Sequence, residues 1–313
     1  MALLTKNKPA PVVVEDDLPR HTDGRGKIIP IGKDGSPDLK AKLKLYSRWS
    51  KWGESIESRE GLELWNKRTV LIGAGQLSDP ALQELLATTR QLDPSERDDK
   101  KTLDELADKL IDAGGGYTKQ RRGTHYHKLS EAMDRGEELP VATTPQERLD
   151  MARLKVSTMH LETRGIEQYV VHDELKACGR FDRLYFYDGP DPDGEPAGHL
   201  IGDLKTGNVA YGTIKNAAQI AGYSRSKLYD KETGVRTDMP ADLNQRWGVI
   251  MHLVPGEDYC QVYWVDLTIG WMAVEHGAQQ RALRRLARKV LRPFLMPQLA
   301  NVSEPLEEEE EDE

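Results

Sequence analysis

The chain has 313 residues, enough for one large domain or two modest ones, each with a proper core, and 31% of its residues are charged. No run of about 18 apolar residues exists, which argues against a membrane-spanning helix, and Met1 to Lys8 lacks the apolar stretch of a secretory signal. Two cysteines, Cys178 and Cys260, make no disulfide framework, so the expected location is a reducing cytoplasm.

In chain order, residues 1–40 are rich in Pro, Gly, Lys and Asp and are expected to form a flexible lead-in. From Ala41 to Leu71, Leu43, Tyr46, Trp49, Trp52, Ile56, Leu62, Trp65 and Val70 recur at a spacing that predicts helices packed on a core. Asp79-Pro80 opens a short helix with Pro at its first position. Leu103, Leu106, Leu110 and Ile111 mark another, closed by Gly114-Gly115-Gly116. Gly123 to Arg135 is a further helix ended by Gly136, and Thr144-Pro145-Gln146-Glu147 has the form of a capping box for a helix reaching His160.

The period then changes from helical to alternating. Ile166 to His172, Ala177 to Asp188 and Gly198 to Lys205 read as consecutive strands, Gly212 to Leu228 as a helix, Trp247 to Leu253 and Tyr259 to Leu267 as strands, and Trp271 to Leu291 as a helix. The expected organisation is a single domain over 41–300, with a helical part at 41–160 and an α/β core at 161–300, followed by an acidic tail at 301–313. Residues 304–313 hold eight acids and no base, so the net charge of −8 belongs to the tail and the body is balanced. Like-charge repulsion predicts a disordered tail; a phosphate mimic in a basic groove is the other use of such a run.

The chemistry centres on Ile201-Gly202-Asp203-Leu204-Lys205-Thr206-Gly207. On a strand, Asp203 and Lys205 leave the same face and Leu204 the opposite one. Gly179-Arg180-Phe181-Asp182 puts a second carboxylate one strand earlier, across a turn-rich loop from Asp188 to Gly198. That hairpin brings Asp182 and Asp203 together, and two adjacent carboxylates call for a cation with oxygen ligands. The carbonyl of Leu204 is a candidate extra ligand, and a lysine beside the ion completes a site for metal-assisted phosphodiester hydrolysis.

Further features accompany this constellation. His127 and Glu131 share a helix face, as a ligand pair or as a solvated His–Glu pair. A zinc site from His125, His127 and the two cysteines lacks ligand spacing. Gln219 and Tyr223 share a face of the next helix, where they could meet phosphate or base, or pack on the sheet. Glu167 opens the first strand as a support or structural residue. Arg281, Arg284, Arg285, Arg288, Lys289 and Arg292 form a basic stripe opposite Leu283, Leu286 and Val290, a phosphate-tracking surface or a solvated face.

Taken together, Gly123-Thr124-x-x-His127-x-x-x-Glu131, Gly179-x-x-Asp182, Asp203-Leu204-Lys205-Thr206-Gly207 and Gln219-x-x-x-Tyr223 resemble the RecB-like branch of the PD-(D/E)XK nucleases, over roughly Arg121 to Leu267. The pattern is similar to the small exonucleases of phages and CRISPR systems. The resemblance implies an α/β fold with a restriction-endonuclease-like αβββαβ core, here behind a helical N-terminal extension. It implies Lys205, Asp182 and Asp203 as catalytic residues, His127, Asp182 and Asp203 as ligands of Mg²⁺ or Mn²⁺, and Gln219 and Tyr223 on a substrate-binding helix; the residue reading adds the Leu204 carbonyl at the ion, Arg281, Arg285 and Arg288 as DNA contacts, and Glu131 and Glu167 behind the ligands. Many relatives carry a four-cysteine iron–sulfur cluster; with two cysteines, none is expected here.

The expected activity is a metal-dependent DNA exonuclease serving phage recombination or replication, with the proteins of those processes as partners. The alternatives are a structure- or sequence-specific endonuclease with the same site, and a non-catalytic DNA-binding protein on a nuclease fold. A homo-oligomer is a further candidate partner, although no residue argues for it.

Overall fold

The structure is a computed structural model that describes residues 12–13, 24–55, 57, 60–76 and 80–292. The acidic tail, Met1 to Lys8 and Ile56 lie outside the described residues. The fold is mixed α/β with a mixed sheet. Strands β1 (Val12–Val13), β2 (Gly26–Ile28) and β3 (Lys44–Arg48) are followed by helices α1 (Glu60–Gly75), α2 (Pro80–Thr88), α3 (Arg97–Ala113), α4 (Thr118–Arg135) and α5 (Pro145–Ser157). Then come β4 (Glu162–His172), β5 (Ala177–Pro190), β6 (Pro196–Lys205), α6 (Thr213–Ser224), β7 (Lys227–Tyr229), β8 (Arg236–Thr237), β9 (Trp247–Leu253), β10 (Cys260–Asp266) and α7 (Leu267–Leu286). Among the described residues, no helix is long and apolar enough to cross a membrane.

The main path of the sheet runs β10-β9-β6-β5-β4-β7-β8. β4, β5 and β6 form an antiparallel meander, and β9 returns parallel to β6 after α6, with Gly202 opposite Val249 and Lys205 opposite His252. Alternation along the strands divides the core. Val170, Phe181, Ile201 and Ile250 pack under α6 and α7 with Trp49 and Trp52, whereas Tyr185, Leu200, Leu204 and Met251 pack under α4 and α5. Leu204 therefore faces away from the Ile201 side, as the two-residue period requires.

Several elements differ from expectation, each for a tertiary reason. The stretch from Ala41 is not helical at first: Lys44–Arg48 is a strand, parallel to Ala177 and Cys178 of β5, and Trp49 and Trp52 follow in short 3-10 turns. The Tyr46 hydroxyl donates to Asp173 (2.6 Å) and Trp49 Nε1 to Ser226 (3.0 Å), long-range bonds that outweigh a helix-like spacing of aromatics. Part of the expected lead-in is built into the fold, because Ile28 is buried against Tyr46 and Tyr169. The helix expected to run to Leu228 stops at Ser224, so that Lys227 and Leu228 pair with Val171 and Val170.

Other expected elements appear with shifted ends. α4 begins at Thr118, five residues before Gly123, and ends on Gly136 at φ 73°, a left-handed position that favours glycine. The capping box at Thr144 forms with both reciprocal bonds, and its helix ends at Ser157. α7 starts at Leu267, where Asp266 caps the amides of Thr268 and Ile269, and α3 is capped by Gly114.

Candidate functional site

The meander registers build the site. Ile166 faces Arg183 and Gln168 faces Phe181 between β4 and β5, while Arg183 faces Gly202 between β5 and β6. Glu167, Asp182 and Asp203 adjoin these rungs on three neighbouring strands. Glu167 breaks the ladder locally, with φ 53°, a left-handed conformation that a non-glycine residue adopts at a cost of about 1–3 kcal/mol.

Helices close this cluster from two directions. His127 of α4 brings Nδ1 to 3.3 Å from Asp182 Oδ2, which also accepts the backbone N–H of Leu204 at 2.7 Å. Leu204 thus contacts the acid through its amide. From α6, Gln219 Nε2 donates to Asp203 Oδ1 (3.1 Å) and lies 3.0 Å from the Tyr223 hydroxyl. The Lys205 ammonium is in direct contact with Asp203 Oδ2, which has no other partner among the described residues. One donor atom each from His127, Glu167 and Asp182 lies within 4.8 Å of the others.

Charge in this cluster is frustrated. Burial pushes the Asp203 carboxyl above the usual range and Asp182 adds to the shift, while Lys205 opposes it. Burial alone would lower the Lys205 ammonium, but Asp203 and Asp182 outweigh it and hold the lysine above its ordinary value. Glu167 is pushed up to about 8, by burial first and Asp182 next, against Arg180 and Arg183. Carboxylates that are expensive to ionise together, aligned with an imidazole, suit a divalent cation with mixed oxygen and nitrogen ligands.

Glu167, expected only as support, has its carboxylate among the candidate ligand atoms, held by Arg180 at 2.6 Å. Glu131 pairs instead with Arg135 (3.3 Å). Tyr223 is buried in the core, edge-on to Phe181, in space that Gly179 leaves: a Cβ there would sit 2.4 Å from the tyrosine ring. It reaches Asp203 through Gln219. Arg281 donates to Ser47 (2.8 Å) and stacks on Trp52 at 4.2 Å, which ties its guanidinium to the start of the fold. Arg285 is exposed and donates to the Arg281 carbonyl (3.4 Å); the Arg288 side chain lies outside what is described. His125 pairs with Glu147 at 2.8 Å.

Sequence reasoning missed Arg183. It is 2% exposed, bonded to Asp134 (2.5 Å), Ser130 (3.0 Å) and the Asp182 carbonyl (2.8 Å), with Glu167 3.9 Å away. A signal was there: Ser130 and Asp134 lie three and seven residues beyond His127, on the same α4 face. No protein-family model matches the chain, and no curated protein matches it.

Proposed function

We propose that this chain is a metal-dependent deoxyribonuclease with a restriction-endonuclease-like core of the RecB-like kind, acting as an exonuclease. The carrying observation is the convergence of Asp182, Asp203 and Lys205 from adjacent strands on one spot that His127 also reaches. The order α5, antiparallel β4-β5-β6, α6, then β9 parallel to β6 supports the core assignment, although a fold alone does not specify an activity.

The donor set fits a hard divalent ion: carboxylates of Asp182 and Glu167 with the His127 imidazole, and Asp203, in contact with Lys205 beside them, is the further carboxylate this reading needs. Mg²⁺ or Mn²⁺ bound there supplies Lewis acidity toward a phosphodiester and lowers the pKa of water. Lys205, kept protonated by its carboxylate neighbours, stands ready to stabilise charge developing on the phosphate oxygens. Gln219 fixes the Asp203 carboxylate, and Tyr223 fixes Gln219. Arg180 and Arg183 hold Glu167 in place.

End-labelled linear DNA and covalently closed circles, incubated with Mg²⁺, Mn²⁺ or chelator, test the reading. Short products from linear DNA, only with metal and with circles left intact, are expected. Nicking of circles would make the enzyme an endonuclease, and no metal-dependent cleavage of any DNA would overturn the proposal.

A further inference from the structure

A cleft of about 620 Å³ opens beside the site, reached past Lys205 and Gln219 and bounded by the β6–α6 loop, the start of α6 and the turns after Trp49. Its chemistry differs from that of a phosphate groove. Lys51 and Lys215 line it, yet both are ion-paired to Glu54, at 3.2 and 3.3 Å, and Glu57 accepts the Lys215 backbone N–H at 3.1 Å. The cations are largely neutralised, so little excess positive charge remains to track a backbone.

What the cleft offers instead is flat and amidic. Tyr211 is 80% exposed on the β6–α6 loop, where Gly212, at φ 78°, turns the chain into α6. The Asn216 amide also lines the cleft, with no side-chain partner among the described residues, and presents both a donor and an acceptor. An aromatic face beside an unengaged amide is the combination that holds a nucleobase, by stacking and by hydrogen bonds to its edge. A base in a duplex is already stacked and paired, so only an unpaired nucleotide enters without the cost of extrusion.

We propose, resting on the nuclease reading above, that this cleft binds the base of an unpaired DNA nucleotide next to the scissile phosphate, with Tyr211 as the stacking platform and Asn216 reading the base edge. The substrate is then a single strand or a frayed end in preference to a blunt duplex.

The test is binding of fluorescein-labelled single-stranded oligonucleotides, measured by anisotropy in chelator so that no cleavage is needed. One oligonucleotide carries all its bases and a matched one carries abasic sites at the labelled end. The intact oligonucleotide should bind about tenfold more tightly. Tyr211→Ala should erase that difference and Tyr211→Phe, which keeps the ring, should restore it; an exposed side chain makes loss of fold by either change unexpected, and circular dichroism checks it. Equal binding of the two oligonucleotides by the wild type, or a difference that survives Tyr211→Ala, overturns the pocket. Because the readout is metal-free, a base preference without metal-dependent cleavage leaves the pocket standing and removes the nuclease reading, and the reverse pattern removes only the pocket.

Discussion

Asp203→Asn should cut metal-dependent DNA cleavage by at least 10²–10³-fold, the scale for removing one preorganised charge-stabilising group, and should leave the melting temperature unchanged or higher. The two effects have one cause. Asp203 is 2% exposed, and its carboxyl is held above the ordinary range by burial and by the neighbouring Asp182. An amide of the same shape removes the repulsion while keeping an oxygen for the Gln219 bond (3.1 Å). It no longer provides an anionic ligand or a carboxylate for Lys205. Lys205→Ala should lower cleavage by a similar factor, and it bears on charge stabilisation rather than ion binding. Single-turnover cleavage beside thermal denaturation checks both variants. Asp203→Asn with wild-type activity, or with a collapse of stability that accounts for its inactivity, would count against the assigned role.

Arg183→Met should destabilise the protein by about 3–5 kcal/mol, the usual cost of removing one partner from a buried ion pair. The guanidinium bridges α4 to β5, through Asp134 and Ser130 on the helix and the Asp182 carbonyl on the strand. Its loss leaves the Asp134 carboxylate, whose side chain is 7% exposed, buried without its cation. It also deprives Glu167 of one of the two cations that oppose its upward shift. Urea unfolding measures the effect, and the double variant Arg183→Met with Asp134→Asn should lose much less than the sum of the single changes, because the second substitution removes the stranded charge. A loss below about 1 kcal/mol for Arg183→Met would show that the link between helix and sheet is carried elsewhere.

The candidate site groups were legible in the sequence because strand geometry is simple. A period of two puts Asp203 and Lys205 on one face, and the turn-rich stretch after Asp188 folds β5 against β6 so that Asp182 meets Asp203. The supports were less legible, since they depend on tertiary context. Nothing local marks Glu167 for a left-handed backbone, or Arg183 for burial. Arg281 fits a basic stripe when read along one helix, but Trp52 and Ser47, more than 200 residues earlier, claim its guanidinium. Tyr223 shares a helix face with Gln219 as expected, yet the pocket left by Gly179 draws its ring into the core. In the fold, the Lys44–Arg48 strand was hidden because Tyr46, Trp49 and Trp52 recur every three residues, a spacing that a strand leading into 3-10 turns also satisfies.

Binding of the ion itself is the most direct measurement. Calorimetric titration of Mn²⁺ into the wild type, Asp182→Asn and Asp203→Asn should give saturable binding in the wild type, weakened by at least about tenfold in each variant. Equal affinity in all three proteins, or no Mn²⁺ binding by the wild type, would contradict a cation held between these two strands.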